Sequence, residues 1–325
     1  MSRTVKGMLI RTWNLFHGNT SPPGRKAYLE EMVRRVTEDR PPVVLLQEVP
    51  AWALGRLESW SGMKAFTTRT MRPRLGVLPL PAGVAKAITS IHPGKLRSGV
   101  AGQGNVILLG KGFTIRSIKF TTLNTNPFCE SEGARLGLTP KQMRWWQKER
   151  RVLLSAHLEI TATRERVFIA NVHLTSHPKD LRLADAELRR AANFMNRGSE
   201  LDEIVIIGGD FNIKGSESQT IRELTHPTEP DEAPYVSTAS LIDNVLVRGA
   251  RPGTVRVWPE DARMFNGKLL SDHAPVEVDV PLPSEIPPPP TPPAVAPAEA
   301  VAADTALVDE TPTAPAAETE TATDA

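Results

Sequence analysis

The 325-residue chain has one cysteine, Cys129, so no internal disulfide can brace its fold. That suits a reducing compartment without excluding export. Nor does it contain an apolar run near the roughly 20 residues a membrane helix needs. The first residues, Met1 to Gly7, lead into a candidate strand without the apolar segment of a signal peptide. A soluble cytoplasmic protein with no membrane span is the expectation. No internal repeat is found.

From Ser284 onward the chain lacks aromatic residues, lysine and arginine. Proline, alanine, threonine and acids fill this stretch, including the run Pro287 to Pro290. Such a composition cannot bury enough apolar surface to offset the entropy of ordering it. Residues 284–325 are therefore expected to be a disordered, acidic Pro/Ala/Thr-rich C-terminal tail, with the fold confined to 1–283. The tail's eight acids, set against a whole-chain net charge of +2, leave the body at +10. A basic body favours polyanionic partners such as nucleic acid or anionic lipid head groups. The tail is then a candidate competitor for that surface.

What is present is a mixed pattern of strands and helices. Met8–Trp13 reads as a first strand, and Tyr28, Met32, Val33 and Val36 recur at helical spacing before Pro41-Pro42 closes the helix. Further strands are expected at Val43–Leu46, Asn105–Leu109 and Phe113–Phe120, with a loop over 122–140. Arg151–Ile160 and Arg166–His173 read as a hairpin. After Pro178 comes a helix whose Leu181, Ala184, Leu188, Ala191, Ala192 and Met195 share a face. Later strands are expected at Leu241–Val247, Val255–Trp258 and Ala274–Val280. Hairpins among helices predict an α/β sandwich of packed sheets with helices outside, and a purely alternating βαβ fold fits less well.

The most informative stretch is Glu203 to Asn212, where the β-branched run 204–207 leads through Gly208-Gly209 to Asp210 and Asn212. The glycines leave room for a ligand to approach the backbone. In extended backbone, Asp210 and Asn212 would point to the same side. Alone, the pair reads equally well as turn residues. The pattern recurs, however. Apolar strands end at Asn14, Glu48, His173, Asp210 with Asn212, Asp243 with Asn244, and Asp272 with His273.

In that order and spelling, Trp13-Asn14, Gln47-Glu48, Asn171-Val172-His173, Gly209-Asp210-Phe211-Asn212, Ile242-Asp243 and Ser271-Asp272-His273 resemble the endonuclease/exonuclease/phosphatase superfamily. Gly-Asp-Phe-Asn and Ser-Asp-His are the more specific pieces. The resemblance implies a DNase I-like fold, a four-layer α-β-β-α sandwich, and a metal-dependent phosphoesterase domain over 1–283. It implies Glu48 as the main ligand of Mg²⁺ or Mn²⁺, with Asn14 and Asp272 in the same shell, since hard oxygen donors suit that ion. Asp210 would orient or deprotonate the attacking water, and Asn212 would contact a phosphate oxygen or the metal shell. Asp243 would hold His273 in a carboxylate–imidazole pair, and His173 would donate to the scissile phosphate or leaving oxygen. The only tyrosines are Tyr28 and Tyr235, and Phe16 stands where the abasic-site endonuclease branch carries an acid, which argues against that branch.

His17, Asn244, Arg144 and Trp145 are weaker candidates for substrate contact. The Trp145-Trp146 pair, among Lys141, Arg144, Lys148, Arg150 and Arg151, offers either a stacking surface for bases or one ring for the core. His177 reads as a helix-entry residue. The expected activity is hydrolysis of phosphodiesters in DNA or RNA. The alternatives are a phosphatase or a phospholipid phosphodiesterase on the same fold, or a binding module without turnover. The lack of an evident apolar hairpin leans away from a secreted sphingomyelinase.

Overall fold

The computed structural model describes residues 7–24, 26–75, 78–91, 100–177, 179–229, 233–238 and 241–282. The tail expected over 284–325 lies outside the described residues. Two six-stranded sheets form the body. In spatial order the first is Val255–Val257, Val276–Val280, Met8–Asn14, Val43–Pro50, Gln103–Leu109 and Lys64–Met71. The second is Val236–Ser237, Asp243–Arg248, Glu203–Asp210, Arg166–His173, Val152–Ile160 and Phe113–Thr122.

Each sheet contains one parallel pair, and a helix lies between its two strands in the chain. Helix Leu29–Thr37 separates Met8–Asn14 from Val43–Pro50, and Arg182–Gly198 separates Arg166–His173 from Glu203–Asp210. A parallel pair needs such a crossover; the other pairs are antiparallel and do not.

Strand alternation explains the layering. Ile10, Val43, Leu45 and Ile107 of the first sheet meet Leu154, Ile169, Ile204, Ile206, Val245 and Val247 of the second in one buried cluster. Residues of the opposite parity face outward. On the first sheet Trp13, Val44, Leu46 and Leu108 pack under Leu29, Met32, Val33 and Val36. On the second, Phe168, Ala170, Val205 and Ile207 pack under Leu188, Ala191, Ala192 and Met195. These are the four layers α-β-β-α.

Several elements depart from the sequence reading. The expected loop over 122–140 contains the helix Asn126–Arg135, which begins with proline in its first turn. The strand starting at Val43 runs past Glu48 to Pro50. Lys64–Met71 is an edge strand with only one fully buried residue, so it lacks the alternation that signals a strand. A short hairpin pairs Arg74–Leu75 with Leu78–Pro79 and leaves Leu75 and Leu78 more than half exposed, so the chain does carry an apolar hairpin.

The Gly208-Gly209 pair also differs in purpose. A Cβ on Gly209, at φ +140°, would lie 1.9 Å from the Val172 carbonyl oxygen, and one on Gly208 would lie 2.6 Å from Leu45 Cδ1. The missing side chains admit a neighbouring strand and the facing sheet, not a ligand.

Candidate active site

The same alternation that fills the inter-sheet layer with apolar side chains fills its end with polar ones. Along the inner face, Ile10 is followed by Thr12 and Asn14, Leu45 by Gln47, Ile169 by Asn171 and His173, and Ile206 by Gly208 and Asp210. A first polar tier bridges the two sheets. Gln47 donates to Thr12 (3.1 Å) and to Asn171 Oδ1 (2.8 Å), and Asn171 donates to the Leu46 and Val106 carbonyls. Those bonds tie the two sheets together beneath the site. Beyond this tier lie Asn14, Glu48, His173, Asp210, Asp243 and His273.

Asn14 Nδ2 donates to Asp210 Oδ2 at 2.8 Å and to Glu48 Oε1 at 3.3 Å. His173 Nε2 lies 3.7 Å from both of these carboxylates. His273 Nδ1 is 2.7 Å from Asp243 Oδ2, while its Nε2 faces Asp210 Oδ2 at 3.9 Å and Asp272 Oδ1 at 4.0 Å. The loop carrying His273 is pinned from several directions. Ser271 Oγ donates to the Asn14 carbonyl and accepts from the His273 N–H, and Trp13 and Arg263 both donate to the His273 carbonyl.

Glu48 reaches the site by a bulge. Strict alternation would turn it away from Gln47, but its φ of +52° and a register shift between Leu46 and Val49 redirect the side chain. His17, buried at φ +54°, completes the wall with Nε2 at 3.0 Å from Glu48 Oε2. Asn212 does not follow the extended-strand expectation. The strand stops at Asp210, Asn212 takes φ +51°, its N–H donates back to Asp210 Oδ1, and its Nδ2 donates to the Leu174 carbonyl.

The remaining sequence candidates divide. Asn244 lies on the sheet face opposite to Asp243, where it bonds Ser237 of the neighbouring strand, and it does not join the cluster. Trp146 is buried and donates to Glu187 at 2.6 Å, while Trp145 is 45% exposed. Trp145 lines a cleft of about 650 Å³ that also holds His17, Glu48 and His173. Arg144 is exposed on the same helix and lies outside that lining. Arg151, a flanking basic residue in the sequence, is nine-tenths buried in the cleft and acts electrostatically on His173. Only its position just before the strand Val152–Ile160 could have singled it out.

Burial sets the electrostatics. It works against ionisation of Glu48, yet attraction to His17 and the hydrogen bond between them, with His173 and Asn14 adding, hold the carboxyl well below the usual range. Burial and the neighbouring Asp243 charge raise Asp210, against His273 and its own hydrogen bonds. Burial and the Arg151 charge push His173 down to about 3, despite Glu48. Burial also opposes charge on His273, but the Asp243 hydrogen bond and charge, then Asp210 and Asp272, push it up to about 10. At neutral pH one histidine is a cation and the other is not.

Acceptor atoms of Asp210, Asp243 and His273 lie within 4.8 Å of one another, close enough to share a cation. His273 Nδ1 and Asp243 Oδ2 already share a hydrogen bond, so the trio also reads as a carboxylate–imidazole pair beside a carboxylate. Asp272 is the freer oxygen donor, while Glu48 has Asn14 on one oxygen and His17 on the other. Asp272 is raised by burial and by repulsion from Glu48 and Asp243, the circumstance that a divalent cation relieves. As placed, Asn14 presents its amide N–H groups to the carboxylates, so metal ligation would require the amide to turn.

Two packed sheets with helices outside, and an Asp–His pair among carboxylates at one end of the inter-sheet layer, define a DNase I-like protein. The chain belongs to the Endonuclease/Exonuclease/phosphatase family, whose model matches residues 12–273. Among solved structures it is similar to an endonuclease/exonuclease/phosphatase from Beutenbergia cavernae DSM 12333, with 17% identity, TM-score 0.58, and 85% of this chain and 72% of that one covered. TDP2 from C. elegans is 16% identical, with TM-score 0.53 and coverage of 87% and 78%. The Bacteroides thetaiotaomicron mannosyl-6-phosphatase Bt3783 is 13% identical, with TM-score 0.53 and coverage of 85% and 100%. Identities this low show the fold alone. Among curated proteins, none matches the chain in sequence.

Proposed function

We propose that the chain is a divalent-metal-dependent phosphodiesterase that hydrolyses DNA or RNA by in-line attack of water. The observation that carries this reading is the convergence of Asp210, the His273–Asp243 pair, His173 and Glu48 at one end of the inter-sheet layer. Asp210, raised toward neutrality and fixed by Asn14, takes the proton of the attacking water. His273, kept protonated by Asp243, offers positive charge to a phosphate oxygen. His173 is neutral and donates a hydrogen bond through a ring N–H, not a charge. Asn212 has a second amide N–H for a phosphate oxygen.

Glu48 and Asp272 would hold Mg²⁺ or Mn²⁺, with Asn14 beside them. Their hard oxygens and mutual repulsion fit such an ion, which when bound neutralises phosphate oxygens. The +10 body favours nucleic acid as the polyanion. A second reading, phospholipid phosphodiesterase, is favoured by exposed Leu75 and Leu78 on a hairpin whose Arg74 lines the cleft.

The test is a parallel assay of plasmid DNA, RNA, sphingomyelin vesicles and inositol phosphates, each with Mg²⁺, Mn²⁺ or EDTA. Cleavage of a nucleic acid that needs metal supports the first reading. Product from the lipid or inositol substrate alone overturns it.

A further inference from the structure

The cleft beside Glu48 and His173 is more than an entrance. Its walls bring together the exposed indole of Trp145 and the cations Lys148, Arg74 and Arg151, against one carboxylate, Glu149, besides Glu48. At about 650 Å³ it lies within the range of pockets that enclose a drug-sized ligand, so a nucleotide fits.

Trp145 is fixed in place. Its neighbour Trp146 is anchored in the core by Glu187 and packs edge-on against Phe128, the Trp145 Nε1–H points at the Ser176 carbonyl at 3.4 Å, and the ring meets His177 edge-on. Lys148 Nζ lies over the Trp145 ring, 5.4 Å from its centroid, so a base stacks on the opposite face or takes the place of this cation. Arg151 forms the floor. Its side chain is 9% exposed and pairs with Glu149 at 3.1 Å, yet its Nε finds no hydrogen-bond partner among the described residues. Holding a cation this deep, next to a catalytic cluster, favours an anionic group in the cleft.

Resting on the phosphodiesterase reading, we propose that this cleft takes the nucleotide next to the scissile phosphate, with its base stacked on Trp145 and its phosphate drawn to Lys148, Arg74 and Arg151. A base can offer a face to an indole only when it is unstacked from its own strand neighbour, so the cleft selects single strands, flaps or frayed ends over continuous duplex.

The test measures both binding and cleavage by the full chain. Binding of a short fluorescent single strand is followed by anisotropy in EDTA, against the same sequence as duplex and against sphingomyelin vesicles. Cleavage of both DNA forms is followed in Mg²⁺. Single strand is expected to bind and be cut about ten-fold better than duplex, with Trp145→Ala removing most of that advantage and Trp145→Phe keeping it. An abasic nucleotide beside the cleavage site should cost the unmodified chain about as much as Trp145→Ala costs, and the two losses should not add. Equal affinity for duplex and single strand, an unaffected Trp145→Ala, additive losses, or binding to vesicles in preference to DNA would each overturn the proposal. Loss of metal-dependent cleavage with a preserved, Trp145-dependent preference for single strands in EDTA would instead sink the phosphodiesterase reading and leave the cleft assignment standing.

Discussion

Single residues show how close the site is to electrostatic conflict. Asp210 and Asp243 repel, Glu48 is ionised between two imidazoles, and His273 carries a positive charge beside them. Asp243 supports that charge, and its Oδ1 is buried with no hydrogen-bond partner among the described residues. Replacing Asp243 by Asn should therefore separate activity from stability. Phosphodiester hydrolysis is expected to fall about 100-fold or more, because His273 loses the carboxylate that orients it and supports its charge. The melting temperature should hold or rise, since repulsion with Asp210 is relieved. A large fall in both would mean that Asp243 is structural.

The same scale shows what could be read from sequence. Asn14, His173 and Asp210 were legible because the period of two continues from the apolar core into the site. Glu48 and Asn212 were legible as residue types but not as geometry, since each depends on a left-handed φ that no side-chain pattern announces. Asn244 shows the converse: it adjoins Asp243 in sequence, and alternation turns it to the other face.

At the scale of elements, the helix Asn126–Arg135 escaped notice because it presents no apolar stripe. It buries only Cys129, Glu132 and Gly133, and Glu132 is held by Arg135 and Arg189. The edge strand Lys64–Met71 was hidden for a similar reason. Strands buried on both faces were easy to see, and they frame the site.

One polar contact holds the framing elements of the first sheet in register. Arg11, buried at 1% exposure, joins Glu277 of the adjacent strand to Asp39 beyond the first helix and to the Val36 carbonyl. Trp258 and Arg256 also donate to Glu277. Burial opposes charge on Glu277, but Trp258, Arg11 and Arg256 outweigh it and hold the carboxyl below its ordinary value. A carboxyl lowered in the folded state adds stability above its unfolded pKa and loses it as pH falls through the folded value. Glu277→Gln is therefore expected to cost about 3 kcal/mol at neutral pH. The gap should close as pH falls from the ordinary value of 4.5, as thermal melts across pH would reveal. A gap independent of pH would mean that packing, not charge, is lost.

For the whole molecule, the mixture of hairpins with two crossover helices was enough to predict a sandwich of sheets. The polar tier of Thr12, Gln47 and Asn171 was not predictable, because it forms only once the two sheets face each other. No helix among the described residues is long and apolar enough to cross a membrane. The charge contrast between body and tail makes a prediction at this scale. Deleting 284–325 removes eight acids and no base, so affinity for a nucleic acid should increase at low salt. Increasing salt should bring the two forms together, and an identical salt profile would exclude competition by the tail.

The central claim is that the end of the inter-sheet layer is a hydrolytic centre organised around Asp210. Its most direct test is the initial rate of nucleic-acid cleavage in Mg²⁺ by the unmodified chain and by Asp210→Ala, each repeated in EDTA, with melting temperatures measured alongside. The unmodified chain should cleave only with metal, and Asp210→Ala should be at least about 1,000-fold slower while melting normally. A folded Asp210→Ala variant that cleaves at the unmodified rate would contradict the account.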